Sequence, residues 1–194
     1  SCRRIVFVPF ALRDRASYTA KFRARLEELG RGVEELAADA TGRRQIETNL
    51  EQIAHYLSGK RVLVTGAGGS IGSELCRQVA RYAPRRLVLY ELSEFNLYAI
   101  EQELGEAHPG IELVRLIGDV KDLGHLRATF TAWRPQVVFH AAAYKHVPLM
   151  EGENAFQAVA NNVLSTVVVA RAAQAAGAGK FVLVSTDKAV NPTN

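Results

Sequence analysis

Cysteine is scarce. Only Cys2 and Cys76 occur among 194 residues, with no Cys-x-x-Cys and no histidine-rich spacing. That excludes a disulfide framework and a thiolate metal site, and it fits a chain kept in a reducing, cytoplasmic setting. Long hydrophobic runs are missing too. No stretch nears the roughly 18 apolar residues that read as a membrane span. The apolar run at residues 5–10 is too short for a signal-peptide core, and Pro9 interrupts it. There is no internal repeat, no low-complexity tract and no block of like charge. The net charge of +4, with a pI near 9.2, mildly favours anionic ligands and is no footprint for nucleic acid. What the chain does hold is apolar residues, 48% of the total. That is enough for one doubly covered sheet and a smaller appendage.

The chain is organised around residues 60–72, Lys-Arg-Val-Leu-Val-Thr-Gly-Ala-Gly-Gly-Ser-Ile-Gly. Val62, Leu63 and Val64 read as a buried strand, and a glycine-crowded turn comes next. Ile71, Leu75, Cys76, Val79 and Ala80 then recur at helical spacing. Strand, glycine turn and helix in that order are the setting of a dinucleotide-binding turn. Gly66 lets the chain reverse after Thr65. Gly69, between Gly68 and Ser70, removes a Cβ where a pyrophosphate would approach. Gly72, after Ile71, lets the helix pack closely. The helix start offers unpaired N–H groups to phosphate.

Residues 1–57 differ in character from the remainder of the chain. They are rich in Arg and Glu and show no strand–turn–helix alternation, so a helical extension is expected. One helical stretch runs over 18–38, broken near Gly30 and Gly32. A second covers 50–57, with Asn49 as its cap. From residue 58 to 194 the pattern is regular. Strands are expected at 62–65, 86–91, 111–117, 137–140 and 181–185. Helices are expected at 70–82, 93–104 and 121–133, and a long one runs from about 150 or 154 to 176. Five strands alternating with helices predict an α/β, Rossmann-like doubly wound parallel sheet of order 3-2-1-4-5.

In such a sheet the ligand chemistry gathers at the carboxyl ends of the strands. Glu91 ends the second strand, about twenty residues past the glycine turn. A carboxylate there accepts from a ribose 2′-OH and repels a 2′-phosphate, which favours NAD over the alternative, NADP. Asp119, with Val120 beside it, comes after the third strand. It either holds an adenine amino group or caps the next helix. Ala141, Ala142 and Ala143 come after the fourth strand and are small enough to admit a nicotinamide ribose. Lys145 either meets a phosphate or is solvated. Asn161 and Asn162, in an otherwise apolar helix, either bond neighbouring backbone and steady the site or lie on a polar face. Thr186, Asp187 and Lys188 end the fifth strand and set a hydroxyl, an acid and an ammonium side by side, a suitable set for acid–base work. Cys76 reads as a small core residue.

These stretches resemble the extended short-chain dehydrogenase/reductase family. More narrowly, they resemble bacterial polysaccharide-biosynthesis dehydratases acting on UDP-N-acetylglucosamine. The resemblance rests on residues 65–75, 140–148, 161–164 and 185–192, and covers about 41–194. It implies C4 oxidation of a UDP-linked sugar by bound NAD(P)+, C5 deprotonation, loss of water from C6 and return of hydride. Thr186 would then bond the C4 oxygen, Asp187 would protonate the departing C6 hydroxyl, and Lys188 would take the C5 proton. The family's Tyr-x-x-x-Lys or Met-x-x-x-Lys pair would come after Asn194. Tyr56 and Lys60 match its spacing on the wrong side of the fold. The 194 residues are therefore expected to bind nucleotide and turn over little. A homo-oligomer is expected, formed through an exposed edge beyond the fifth strand. The full-length protein is expected in the cytoplasm or attached to the inner membrane.

Overall fold

Alternation at period two decides how the sheet is covered. Val62 and Val64 face one way and Leu63 the other; Leu87 and Leu89 oppose Val88 and Tyr90. All seven are buried, the mark of parallel strands packed on both faces. The computed structural model describes residues 5–9 and 54–185. Among these, the strands are β1 (Ile5–Pro9), β2 (Arg61–Thr65), β3 (Arg86–Glu91), β4 (Glu112–Ile117), β5 (Val137–His140) and β6 (Lys180–Ser185). They form one sheet of order β1-β6-β5-β2-β3-β4, with every pair parallel. Read from β2 onward, this is the expected 3-2-1-4-5 arrangement.

The strand β1 was not expected, because its neighbours in sequence carry no alternating pattern. It pairs along β6 from Ile5 opposite Phe181 to Pro9 opposite Ser185. It therefore takes the edge that the sequence led us to expect exposed, and Pro9 sits on an edge strand, where a missing N–H is tolerated. The expected helices at 18–38 and around Asn49 lie outside the described residues. Of the stretch 50–57, residues 54–57 are helical.

Helices α1 (Ser70–Ala80) and α2 (Glu94–Ala107) cover one face, around Val62, Val64, Cys76, Val79, Leu97, Ile100 and Leu104. On the other face α3 (Leu123–Trp133) and α6 (Ser165–Ala175) bury Leu126, Phe130, Val169 and Ala173 against Leu63, Val138 and Phe181. The buried face of α1 includes Glu74, held by Arg77 and Gln78; Leu75 is only half-buried. Cys76 is fully buried, and burial pushes its thiol well up, so it packs as an apolar side chain.

The expected long helix is segmented. A short helix α4 (Val147–Met150), a 3₁₀ turn (Gly152–Asn154) and a short helix α5 (Ala155–Ala158) lead into a π-helical turn, Val159–Leu164, and then α6. The wider π turn holds both asparagines. Ser165 Oγ donates to the Asn161 carbonyl, and Thr166 Oγ1 donates to that of Asn162 at 2.7 Å. Hydroxyls one turn on thus satisfy carbonyls at the irregularity, and π turns of this kind are frequent at functional sites.

Candidate functional site

At the carboxyl ends of β2, β3, β4 and β5 lies a cleft lined by Gly66, Gly69, Glu91, Asp119, Ala142 and Asn161, among others. Its floor is the glycine turn. Gly66 has φ +66°, and a Cβ there would lie 2.9 Å from the Ala141 carbonyl oxygen and from Ala142 backbone atoms. Only glycine fits both conditions. A Cβ on Gly72 would meet the Gly66 carbonyl oxygen at 1.8 Å, so the first turn of α1 rests directly on the loop. Gly68 packs on α2, where a Cβ would meet that of Asn96 at 2.5 Å.

The start of α1 differs from its counterparts. Ser93 accepts the Asn96 N–H ahead of α2, and Asp122 accepts the His125 N–H ahead of α3. Asp122, not Asp119, therefore caps the third helix. Gly69 caps α1 with no side-chain acceptor, and no acid occupies its first turn. The first N–H groups of α1 are left without a side-chain acceptor, next to cleft-lining Gly69, with the positive end of the helix dipole behind them. That is the donor set a diphosphate requires.

Glu91 is buried and does more than face the cleft. Its Oε2 accepts from the Gly68 N–H at 2.9 Å, and its Oε1 accepts from the Leu92 and Ser93 N–H groups at 3.0 Å each. The carboxylate ties the glycine turn to the end of β3. Two carboxylate oxygens carry about four acceptor positions, so one remains for a ribose hydroxyl. Glu91→Gln is expected to cost about 1–3 kcal/mol, because an amide cannot accept on both sides; urea unfolding at neutral pH measures it. Asp119 accepts the Lys121 N–H at 2.8 Å and pairs with its ammonium at 2.9 Å. Burial raises its pKa, but the Lys121 contacts outweigh burial and hold it below the usual carboxylate range. Tyr90, on the cleft wall, donates to the Asp119 carbonyl at 3.0 Å, and burial pushes its phenol up to about 12.

Past β5 the loop is clamped by Asn162. Its Oδ1 accepts the Tyr144 N–H and its Nδ2 donates to the Tyr144 carbonyl, both at 2.8 Å. Asn161 donates to the same Oδ1 at 3.1 Å and lines the cleft. Behind them His140 is buried between Thr65 Oγ1, 2.7 Å from Nδ1, and Thr166 Oγ1, 3.1 Å from Nε2. The Thr166 proton goes to the Asn162 carbonyl. Nε2 is then the donor to Thr166, and Nδ1 accepts from Thr65.

Of the residues singled out from the sequence, Gly66, Gly69, Glu91, Asp119, Val120, Ala141, Ala142 and Ala143 line the cleft. Thr65 lies behind it with His140. Gly68, Ser70, Ile71 and Gly72 shape the turn and helix start, and Asn162 holds the loop. Lys145 is exposed on that loop and is not part of the lining. Thr186, Asp187 and Lys188 lie outside the described residues. Asn161, singled out with Asn162, lines the cleft. Sequence reasoning missed Tyr90, Leu92, Gly118 and Tyr144 in the lining.

A family model described as polysaccharide biosynthesis protein matches residues 62–194. The chain belongs to this polysaccharide biosynthesis family. A model of peptidase family S51 matches residues 1–72, well under half of the chain, and ends at Gly72. The capsular polysaccharide biosynthesis protein CapD of Staphylococcus aureus is 45% identical over 157 residues, which is 80% of this chain and 26% of CapD. A UDP-N-acetylglucosamine 4,6-dehydratase (inverting) of Campylobacter jejuni is 31% identical over 138 residues, covering 71% of this chain and 39% of the enzyme. The chain thus spans well under half the length of these relatives. Among solved structures, Pen from Bacillus thuringiensis matches at 32% identity and a TM-score of 0.63, over 72% of this chain and 42% of Pen. Bordetella bronchiseptica WbmG, solved in complex with NAD, matches at 26% identity and a TM-score of 0.52, over 65% and 37% of the two chains. Other relatives include a UDP-glucose 4-epimerase of Rhizobium leguminosarum, 32% identical over 67% of this chain and 36% of that enzyme.

Proposed function

We propose that this chain is the NAD-binding part of a UDP-N-acetylglucosamine-type 4,6-dehydratase, a lyase of surface or capsular polysaccharide biosynthesis. The observation that carries the reading is the uncapped start of α1 above a turn whose Gly66 and Gly72 admit no larger residue, at the floor of the cleft. The residues fit a dinucleotide. The turn 66–72 would hold the diphosphate, and Glu91 the adenosine ribose. Asp119 and Val120 would meet the adenine, and Ala141 to Ala143 the nicotinamide ribose. Bound there, the nicotinamide would take hydride from the sugar and give it back. Thr186 would bond the C4 oxygen, Asp187 would donate a proton to the leaving C6 hydroxyl, and Lys188 would accept the C5 proton. Lys145 would contribute charge near a phosphate. The anion at Glu91 selects NAD+ over NADP+.

Titrating the 194-residue chain with both cofactors tests the first half; tighter binding of NADP+ would overturn the role given to Glu91. Incubating the full-length protein with UDP-N-acetylglucosamine tests the second. A 4-keto-6-deoxy product supports the dehydratase, and a C4 epimer supports an epimerase on the same fold. Turnover of the 194 residues alone is expected to be very slow.

A homo-oligomer is part of the same proposal. Phe156, Val159, Val163, Leu164 and Val167 are exposed along the π turn and its flanking helices, an apolar stripe of the kind that marks a contact surface. Val163→Glu is expected to shift the chain to monomer in light scattering. An unchanged mass in the variant would exclude this stripe as the contact.

A further inference from the structure

The opposite rim of the sheet holds a second, unrelated pocket. It is lined by Arg61, Arg85, Arg86, Ala132, Trp133 and Arg134. Arg61 and Arg86 are the first residues of β2 and β3, whereas the cleft lies at the far ends of the same strands. Five residues of extended chain put about 17 Å between the two sites.

We propose that this pocket binds a small phosphate-bearing anion, with diphosphate as the best-matched group. Four arginines line it, and among the described residues one carboxylate pairs with them: Glu112, 2.7 Å from Arg86 Nη2. Arg61 Nε donates to the Arg134 carbonyl at 2.8 Å and so covers the negative end of α3 that would otherwise repel an anion. Arg86 lies over the Trp133 ring, 5.0 Å from its centroid, which fixes the guanidinium plane. Its Nε is buried without a hydrogen-bond partner, the one such side-chain atom among the described residues. An unpaired buried donor is costly unless a ligand or water supplies the acceptor. Clustered arginines are the usual recognition set for phosphate oxygens.

Trp133 is the only tryptophan in the chain, so its fluorescence reports on this pocket. Pyrophosphate is titrated into the 194-residue protein with saturating NAD+ present and ionic strength held constant with sodium chloride. A saturable change in Trp133 emission is expected. Arg85→Gln with Arg134→Asn should weaken half-saturation about tenfold or more through loss of two charge-assisted contacts. Asparagine tolerates the left-handed φ of 44° at position 134, and Arg85→Gln alone serves if the double variant unfolds. No saturation, an equal response to chloride, or unchanged binding in the variants overturns the proposal. So does a response to phosphatidylglycerol vesicles but not to pyrophosphate, which would make the rim a membrane contact. Loss of NAD+ binding with the Trp133 response intact would count against the cleft and not against this pocket.

Discussion

Gly72→Ala is expected to abolish cofactor binding and to destabilise the chain by about 3 kcal/mol or more, at the upper end of overpacking costs. Two effects oppose each other. Alanine is the better helix former by about 1 kcal/mol. Against that, its Cβ would sit 1.8 Å from the Gly66 carbonyl oxygen and 2.7 Å from the carbonyl carbon. Both atoms are backbone, so no side-chain rotation relieves the clash. Either α1 lifts off the turn or the turn leaves Ala141 and Ala142. Each movement takes the helix N–H groups away from the position where phosphate oxygens would be met. The control is Gly105→Ala in α2, where nothing lies within 4 Å of the added Cβ. There the propensity gain stands alone, and stability should rise by roughly 0.5–1 kcal/mol. Urea unfolding of the two variants measures both effects. Equal stability of Gly72→Ala and the parent would mean that the turn is not packed as described.

The legible parts of this chain were those written in a period. Val62 to Val64, Arg86 to Glu91 and the apolar positions of α1 to α3 announced a doubly wound sheet because burial on both faces leaves a continuous apolar run. Gly66, Gly68 and Gly72 were legible because each removes a collision the backbone cannot otherwise avoid. Other features depend on partners remote in sequence. β1 exists through β6, some 176 residues away in register, and its own five residues carry no sign of that. Glu91 was read as a ribose acceptor, yet three of its acceptor positions serve the loop itself. Asp119 was open to an adenine contact or a cap, and Asp122, three residues on, is the cap because the helix begins later. The π turn was hidden because Asn161 and Asn162 fit a regular helix poorly but do not say how the helix will yield.

His140 makes the stability of the fold depend on pH in a window that carboxylates do not share. Burial pushes its imidazole down to about 4, from an ordinary value near 6.5. Between these values the unfolded chain binds a proton that the native chain refuses, so stability is complete above about 6.5 and falls as pH drops toward 4. The slope approaches 1.4 kcal/mol per pH unit, and the whole loss is about 3 kcal/mol. Asp119 and Glu103 are also held low, Asp119 by Lys121 and Glu103 by Arg77. Their contributions are present above the ordinary carboxylate range and begin to fade only at about pH 5. Measurements at pH 7.5, 6.5, 5.5 and 5.0 therefore isolate the imidazole. His140→Gln keeps an acceptor and a donor between Thr65 and Thr166. It should be less stable than the parent at pH 7.5 by about 1–3 kcal/mol, yet its urea midpoint should lack the decline the parent shows down to pH 5. Parallel declines in the two proteins would remove His140 as the cause. The same proton reaches the cleft through Thr65 alone: Nε2 donates to Thr166 in both states, but a charged imidazole can no longer accept from Thr65. Thr65 leads directly into Gly66 at the cleft floor, so cofactor affinity should weaken over the same pH interval, before the chain unfolds.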